Sequence, residues 1–218
     1  MPHFYRNYGQ SKMRLSGDFS PRKVFLGEGD AEAFFLESLF TRRGFDESEY
    51  CVFCFRGIAN LGPTLHFLKE EPNFHLVSAV GIMLDANNDP DSRLRSVLSN
   101  LRNIGCADES TTFHGGNITA HNGLRLGVFV SPGDSHHGTI ETLAIGEIQT
   151  KRENECLENL RACIDSGCGE AISDKALTQI YVSIKKPGLC GTGRGFEAGV
   201  LDVEHPAYGV AVRTFTEL

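Results

Sequence analysis

Two acids follow directly on apolar runs. Val24-Phe25-Leu26 leads through Gly27 into Glu28, and a later run ending in Leu84 leads into Asp85, with Asn87 and Asp89 close behind. A third apolar run, 124–130, is followed by Pro132-Gly133-Asp134 and then by Glu141. A carboxylate at the end of a buried strand is unfavourable unless something compensates its charge. Several carboxylates in one crevice repel one another and hold protons until a cation relieves them. Oxygen ligands of this kind select Mg²⁺ or Mn²⁺. Two such ions can bind the attacking and leaving oxygens of a phosphodiester displacement. That chemistry requires Glu28, Asp85, Asp89 or Asn87, Asp134 and Glu141 to converge.

Each of these residues also has a plainer reading. Asp30 reads as a helix N-cap, Asp89-Pro90 as the start of a helix, and Asp134 as a turn residue. Glu32 and Glu37 read as solvent-facing helix charges, His136 and His137 as a solvated loop. The Gly27–Gly29 spacing lacks the third glycine of a dinucleotide fingerprint, because position 32 is Glu32. Residues 188–195 are glycine-rich but precede no good helical pattern, and they read as a loop.

Positioning these acids requires strands that end on one edge. The pattern predicts strands at 23–26, 51–55, 76–84 and 124–130. Helices are predicted at 30–43, 60–69, 91–105, 139–145, 151–165 and 174–185. The 91–105 segment is the clearest, with Leu94, Val97, Leu98, Leu101 and Ile104 in one stripe. Strands alternating with helices imply an α/β fold, Rossmann-like, with an open, mostly parallel sheet and helices on both faces. Residues 1–21 read as a loosely ordered arm, 22–150 as the α/β core, and 151–218 as a helical C-terminal extension packed on it.

Composition narrows the function classes. The chain has 218 residues and a formal net charge of −7, which argues against a surface that grips nucleic acid everywhere. Residues 1–23 carry five basic side chains and one acid, so the rest is the more acidic and suits divalent cations. No run approaches the roughly 20 apolar residues of a membrane span, and no membrane association is expected. Seven cysteines without a secretory leader suggest a reduced, cytoplasmic protein. Cys51 and Cys54 have CxxC spacing but lie three apart on a predicted strand, so they point to opposite faces and cannot share a metal.

The order of these motifs resembles the TOPRIM domain of topoisomerases, DnaG-type primases and OLD nucleases. Closer still, it resembles a TOPRIM-like family of bacteria and archaea, the domain of unknown function 3226. The resemblance is carried by Glu28-Gly29-Asp30-Ala31-Glu32, by Asp85-Ala86-Asn87 with Arg93, by Pro132 through Gly138 to Glu141, and by Asp174-Lys175 with Pro187-Gly188 and Gly191. It implies a divalent-metal-dependent nuclease acting on DNA or RNA. In it Glu28 is a metal ligand or general base, Asp85 the first metal-binding aspartate, and Glu141 a ligand of a second metal. Lys175 neutralises charge on a phosphoryl oxygen. The metal set so implied is Glu28, Asp85, Asn87, Asp89 and Glu141, with Glu28, Asp85 and Lys175 catalytic. Asn87 replaces the second aspartate of the motif. The alternative is therefore a non-catalytic binding or regulatory module with a degenerate metal site. A homodimer is a further expectation.

Overall fold

The structure, a computed structural model, describes residues 4–5, 22–111, 118–133, 136–169 and 171–218. The predicted strands form where the apolar runs lie: β2 (Lys23–Gly27), β3 (Tyr50–Cys54), β4 (Ala79–Asp85) and β6 (Leu124–Ser131). They join β1 (Phe4–Tyr5) and β5 (Ile118–His121) in one sheet of order β1-β3-β2-β4-β6-β5. All neighbours pair in parallel except β5, which runs antiparallel to β6. Neither β1 nor β5 was expected from the sequence. β1 belongs to the arm and pairs Phe4 with Val52. The third predicted strand begins late, because Phe74–Leu76 is a turn of 3-10 helix.

The connections place a switch in direction between β2 and β4. From β2 the chain crosses by α1 (Asp30–Arg42) to β3 on one side. It then returns by α2 (Leu61–Glu70) to β4 on the other, and moves outward by α3 (Pro90–Asn103) towards β6. The carboxyl ends of β2 and β4 therefore flank the crevice where open α/β sheets bind ligands.

The two faces of the sheet have separate cores. α2 and α3 cover Val24, Leu26, Ile82, Leu84 and Val128. α1, α4 (Ile140–Ile148), α6 (Asp174–Lys185) and α8 (Gly209–Thr216) cover Phe25, Met83 and Phe129. Cys51 lies in one core and Cys54 in the other, as strand alternation requires. Burial pushes the Cys51 thiol far up and that of Cys54 up to about 11, so both are inert.

Residues 151–218 supply α5 (Asn154–Cys168), α6, α7 (Thr192–Glu197) and α8. α7 corrects the loop expected at 188–195, and α8 was not anticipated. Both are short and poor in strong helix formers, with glycines in one and β-branched residues in the other. Tertiary contact holds them. α8 approaches the sheet over Gly81 and Gly127. A Cβ at Gly127 would stand 2.5 Å from Leu218 Cδ1, and one at Gly81 would meet the Phe25 ring at 2.6 Å and Phe215 at 3.1 Å. Among the described residues no helix is long and apolar enough to cross a membrane.

Candidate functional site

A crevice of about 980 Å³ opens at the carboxyl edge of the sheet. Its walls are the ends of β2 and β4 and the first turns of α1, α4, α6 and α7. Glu28, Glu32, Asp85, Asn87, Glu141 and Lys175 all line it.

Glu28 bridges the two strands at the switch point. The Arg93 guanidinium donates to both of its oxygens, at 2.7 and 2.9 Å, and the Asp85 amide donates to Oε2 at 3.1 Å. Arg93 Nε also donates to the Asp85 carbonyl at 2.9 Å. The Glu28–Arg93 pair is mostly shielded from water, each side chain being 15% exposed.

The Asp85 side chain turns to the α1 and α4 face and accepts a hydrogen bond from the Ile140 amide at 2.8 Å. Burial, then repulsion by Glu141 and Glu28, pushes its carboxyl up to about 7 against the pull of that amide. A side-chain interaction with Glu32 acts in the same direction as that amide.

Glu32 corrects the expectation of a solvent-facing charge: it is 3% exposed. The N-cap of α1 is Gly29 rather than Asp30, so Glu32 is the third helical residue. Its Oε2 accepts the Gly29 amide at 2.7 Å. A Gly-x-x-Glu capping pattern was visible in the sequence and would have turned this side chain inward. Burial, then the charge of Asp85, holds the Glu32 carboxyl well above the usual range.

Glu141, 6% exposed, lies in the first turn of α4. Thr192 Oγ1 donates to its Oε1 at 3.0 Å, so α7 reaches back over the acids. No local signal links positions 141 and 192.

Asn87 is exposed, with φ 52°, a left-handed conformation that asparagine tolerates better than most residues. Its amide donates to the Gly138 carbonyl at 2.8 Å and its carbonyl accepts the Gly138 amide at 2.9 Å, clipping the end of β4 to the start of α4. Asp89 is exposed and caps α3, accepting the Ser92 amide at 2.8 Å, outside the crevice lining. Lys175 is exposed in the first turn of α6. Asp134 lies outside the described residues. Sequence reasoning did not single out Arg56 and Arg194, which stand on the crevice rim.

The donor chemistry fits a hard divalent cation. Asp85, Glu32 and Glu141 are all-oxygen donors, and their mutual repulsion adds to burial in raising the carboxyls of Asp85 and Glu32. Among the described residues, however, no three carboxylate, imidazole or thiol groups stand ready-spaced as a ligand set. Ion binding therefore requires side-chain movement.

The chain is similar to the C-terminal region of the OLD protein of Xanthomonas campestris pv. campestris. One structure of that region has 17% identity over 90% of this chain and 93% of that one, with a TM-score of 0.46. Another has 19% identity over 91% and 96%, with a TM-score of 0.47. The C-terminal region of the Burkholderia pseudomallei OLD protein has 16% identity over 90% and 98%, with a TM-score of 0.46. No curated protein matches the sequence. Residues 22–218 match the family model described as protein of unknown function DUF3226, and the chain belongs to that family.

Proposed function

We propose that the protein is a Mg²⁺- or Mn²⁺-dependent phosphodiesterase acting on nucleic acid. The observation that carries this reading is the meeting of Asp85, Glu32 and Glu141 beside Glu28 at the strand switch point, with Asp85 pushed up to about 7. Asp85, Glu32 and Glu141 would hold the cation. A bound divalent cation supplies an activated water at neutral pH and positive charge beside the phosphoryl oxygens.

The chain's own groups do the positioning. The Ile140 amide orients Asp85, and Thr192 orients Glu141. Arg93 fixes the end of β4 through the Asp85 carbonyl and, by holding Glu28, reduces the negative charge of the crevice. Lys175, free of the acid cluster, is available to a phosphoryl oxygen. The test is cleavage of plasmid and single-stranded substrates with Mg²⁺ or Mn²⁺ by wild type, Asp85→Asn and Glu32→Gln. Metal-dependent cleavage lost in both variants is expected. Undiminished cleavage in Asp85→Asn, or none in wild type, overturns the proposal.

One observation favours a second reading, a non-catalytic module. Glu28 is committed to Arg93 through both oxygens, and Asn87 serves as a backbone clip. Calorimetric titration with Mn²⁺ separates the two: no binding, with no rise in melting temperature, supports the module.

A further inference from the structure

We infer, resting on the metal reading above, that the site takes one divalent cation and that Arg93 is a fixed cation in place of a second. Two-ion sites hold their ions about 3.5–4 Å apart, so one cluster of carboxylates must serve both. Here the sheet divides the acids. Asp85 follows Met83 by two residues and turns to the α1 and α4 side, where Glu32 and Glu141 act on it. Glu28 follows Val24 and Leu26 at the same spacing and turns to the α3 side, where Arg93 meets it. Alternation along the two strands therefore sets Glu28 apart from the other three acids.

Glu28 is already matched. An ionised carboxylate has about four acceptor sites. Arg93 Nη2 fills one on each oxygen, at 2.7 and 2.9 Å, and the Asp85 amide fills another on Oε2 at 3.1 Å. The backbone holds the residue in place. Its amide donates to the Met83 carbonyl at 2.9 Å, and its carbonyl accepts the Gly57 amide at 3.2 Å.

Arg93 is equally fixed. Its Nε donates to the Asp85 carbonyl at 2.9 Å, and its amide donates to the Asp89 carbonyl at 3.1 Å in the first turn of α3. Val97 and Leu101 bury that helix against the sheet. The arginine lies behind Glu28, outside the crevice lining. A divalent ion that took Glu28 would leave a guanidinium only 15% exposed without that carboxylate. Removing one partner of a shielded pair is the costly way to break it. Arginine keeps its charge at any working pH, so this cation is permanent, whereas an ion at the other three acids comes and goes with metal concentration. Arg93 is a positioning residue, acting on the crevice through Glu28 and the end of β4.

The test is Mn²⁺ titration of the full chain by calorimetry, with electron paramagnetic resonance of the loaded protein. One ion per chain and the spectrum of an isolated Mn²⁺ are expected. Glu28→Gln leaves the arginine charge unmatched beside the ion and should weaken binding about tenfold, with the stoichiometry unchanged. The double variant Glu28→Gln/Arg93→Gln restores the charge balance and should return the affinity to within about threefold of wild type. A lost ligand is not recovered in this way, and a merely structural pair would lower the melting temperature without moving the affinity. Should the double variant fail to fold, the wild-type stoichiometry and spectrum decide alone. Two ions per chain, a spin-coupled pair, an affinity unmoved by Glu28→Gln, or one still reduced in the double variant overturns the inference. No bound ion overturns the metal reading and this inference with it. One ion without cleavage sinks the proposed reaction alone, and two ions with cleavage sink this inference alone.

Discussion

At the scale of single residues, Asp85 is the group whose ionisation matters most. Its folded-state carboxyl is raised to about 7, above the ordinary value of 3.8, so the folded protein holds this proton more tightly than the unfolded chain. The stability it contributes is complete below about pH 4 and is lost as pH rises towards 7. In the metal-free protein we therefore expect Asp85→Asn to raise the melting temperature at pH 8 and to change it little at pH 4. Addition of Mn²⁺ at pH 8 should stabilise wild type but not the variant. Differential scanning calorimetry at the two pH values checks this; a variant less stable than wild type at pH 8 without metal contradicts the repulsion on which the site is argued. Glu28 contrasts with Asp85. Its charge is met by Arg93 and a backbone amide, so it is structurally satisfied where Asp85 is not.

At the scale of elements, helix starts do most of the positioning. α1 brings Glu32 inward, α4 brings Glu141 and the Ile140 amide, and α7 brings Thr192. α3 serves the site only through Arg93, and its own cap is Asp89. Asp89→Ala should cost about 1 kcal/mol of stability in urea unfolding while leaving Mn²⁺ affinity unchanged. A large fall in Mn²⁺ affinity would instead make Asp89 a ligand. α7 is positioned by close backbone approach. Gly193→Ala should destabilise by about 1–3 kcal/mol, since the added methyl meets a ring and a carbonyl that cannot both retreat. It should also weaken Mn²⁺ binding, because Thr192 would carry Glu141 with it. A variant of wild-type stability would show that α7 is loosely held.

At the scale of the whole molecule, the C-terminal helices are tied to the core by a buried acid. Glu147 on α4 is 0% exposed. It accepts the Asp202 amide at 3.1 Å to each oxygen and the Tyr208 hydroxyl at 3.1 Å, and it pairs with Lys151 at 3.2 Å. A buried carboxylate stripped of a donor is left under-solvated. Tyr208→Phe should therefore destabilise by about 1.5–3 kcal/mol, measured by urea unfolding with an unchanged m-value. A change below the error of the measurement would show that the hydroxyl contributes nothing net. The tie matters for function because the same helices carry Lys175, Thr192 and Arg194 to the crevice.

The sequence alone determined the α/β class, the four main strands, the helices between them and the acids that follow β2 and β4. These signals are local: apolar runs, helical stripes, caps and stops act within a few residues. It also separated Cys51 from Cys54, since alternation along a strand needs no tertiary knowledge. Only the tertiary structure decided which acids meet. The inward turn of Glu32 follows from a local cap at Gly29, but its meeting with Asp85 and Glu141 does not. Thr192 reaches Glu141 across 51 positions of chain, and Arg93 claims Glu28 across 65. α7 and α8 exist because packing against α1, Gly81 and Gly127 outweighs their own weak propensity. Such contacts have no periodicity to read, because they follow from how the layers stack.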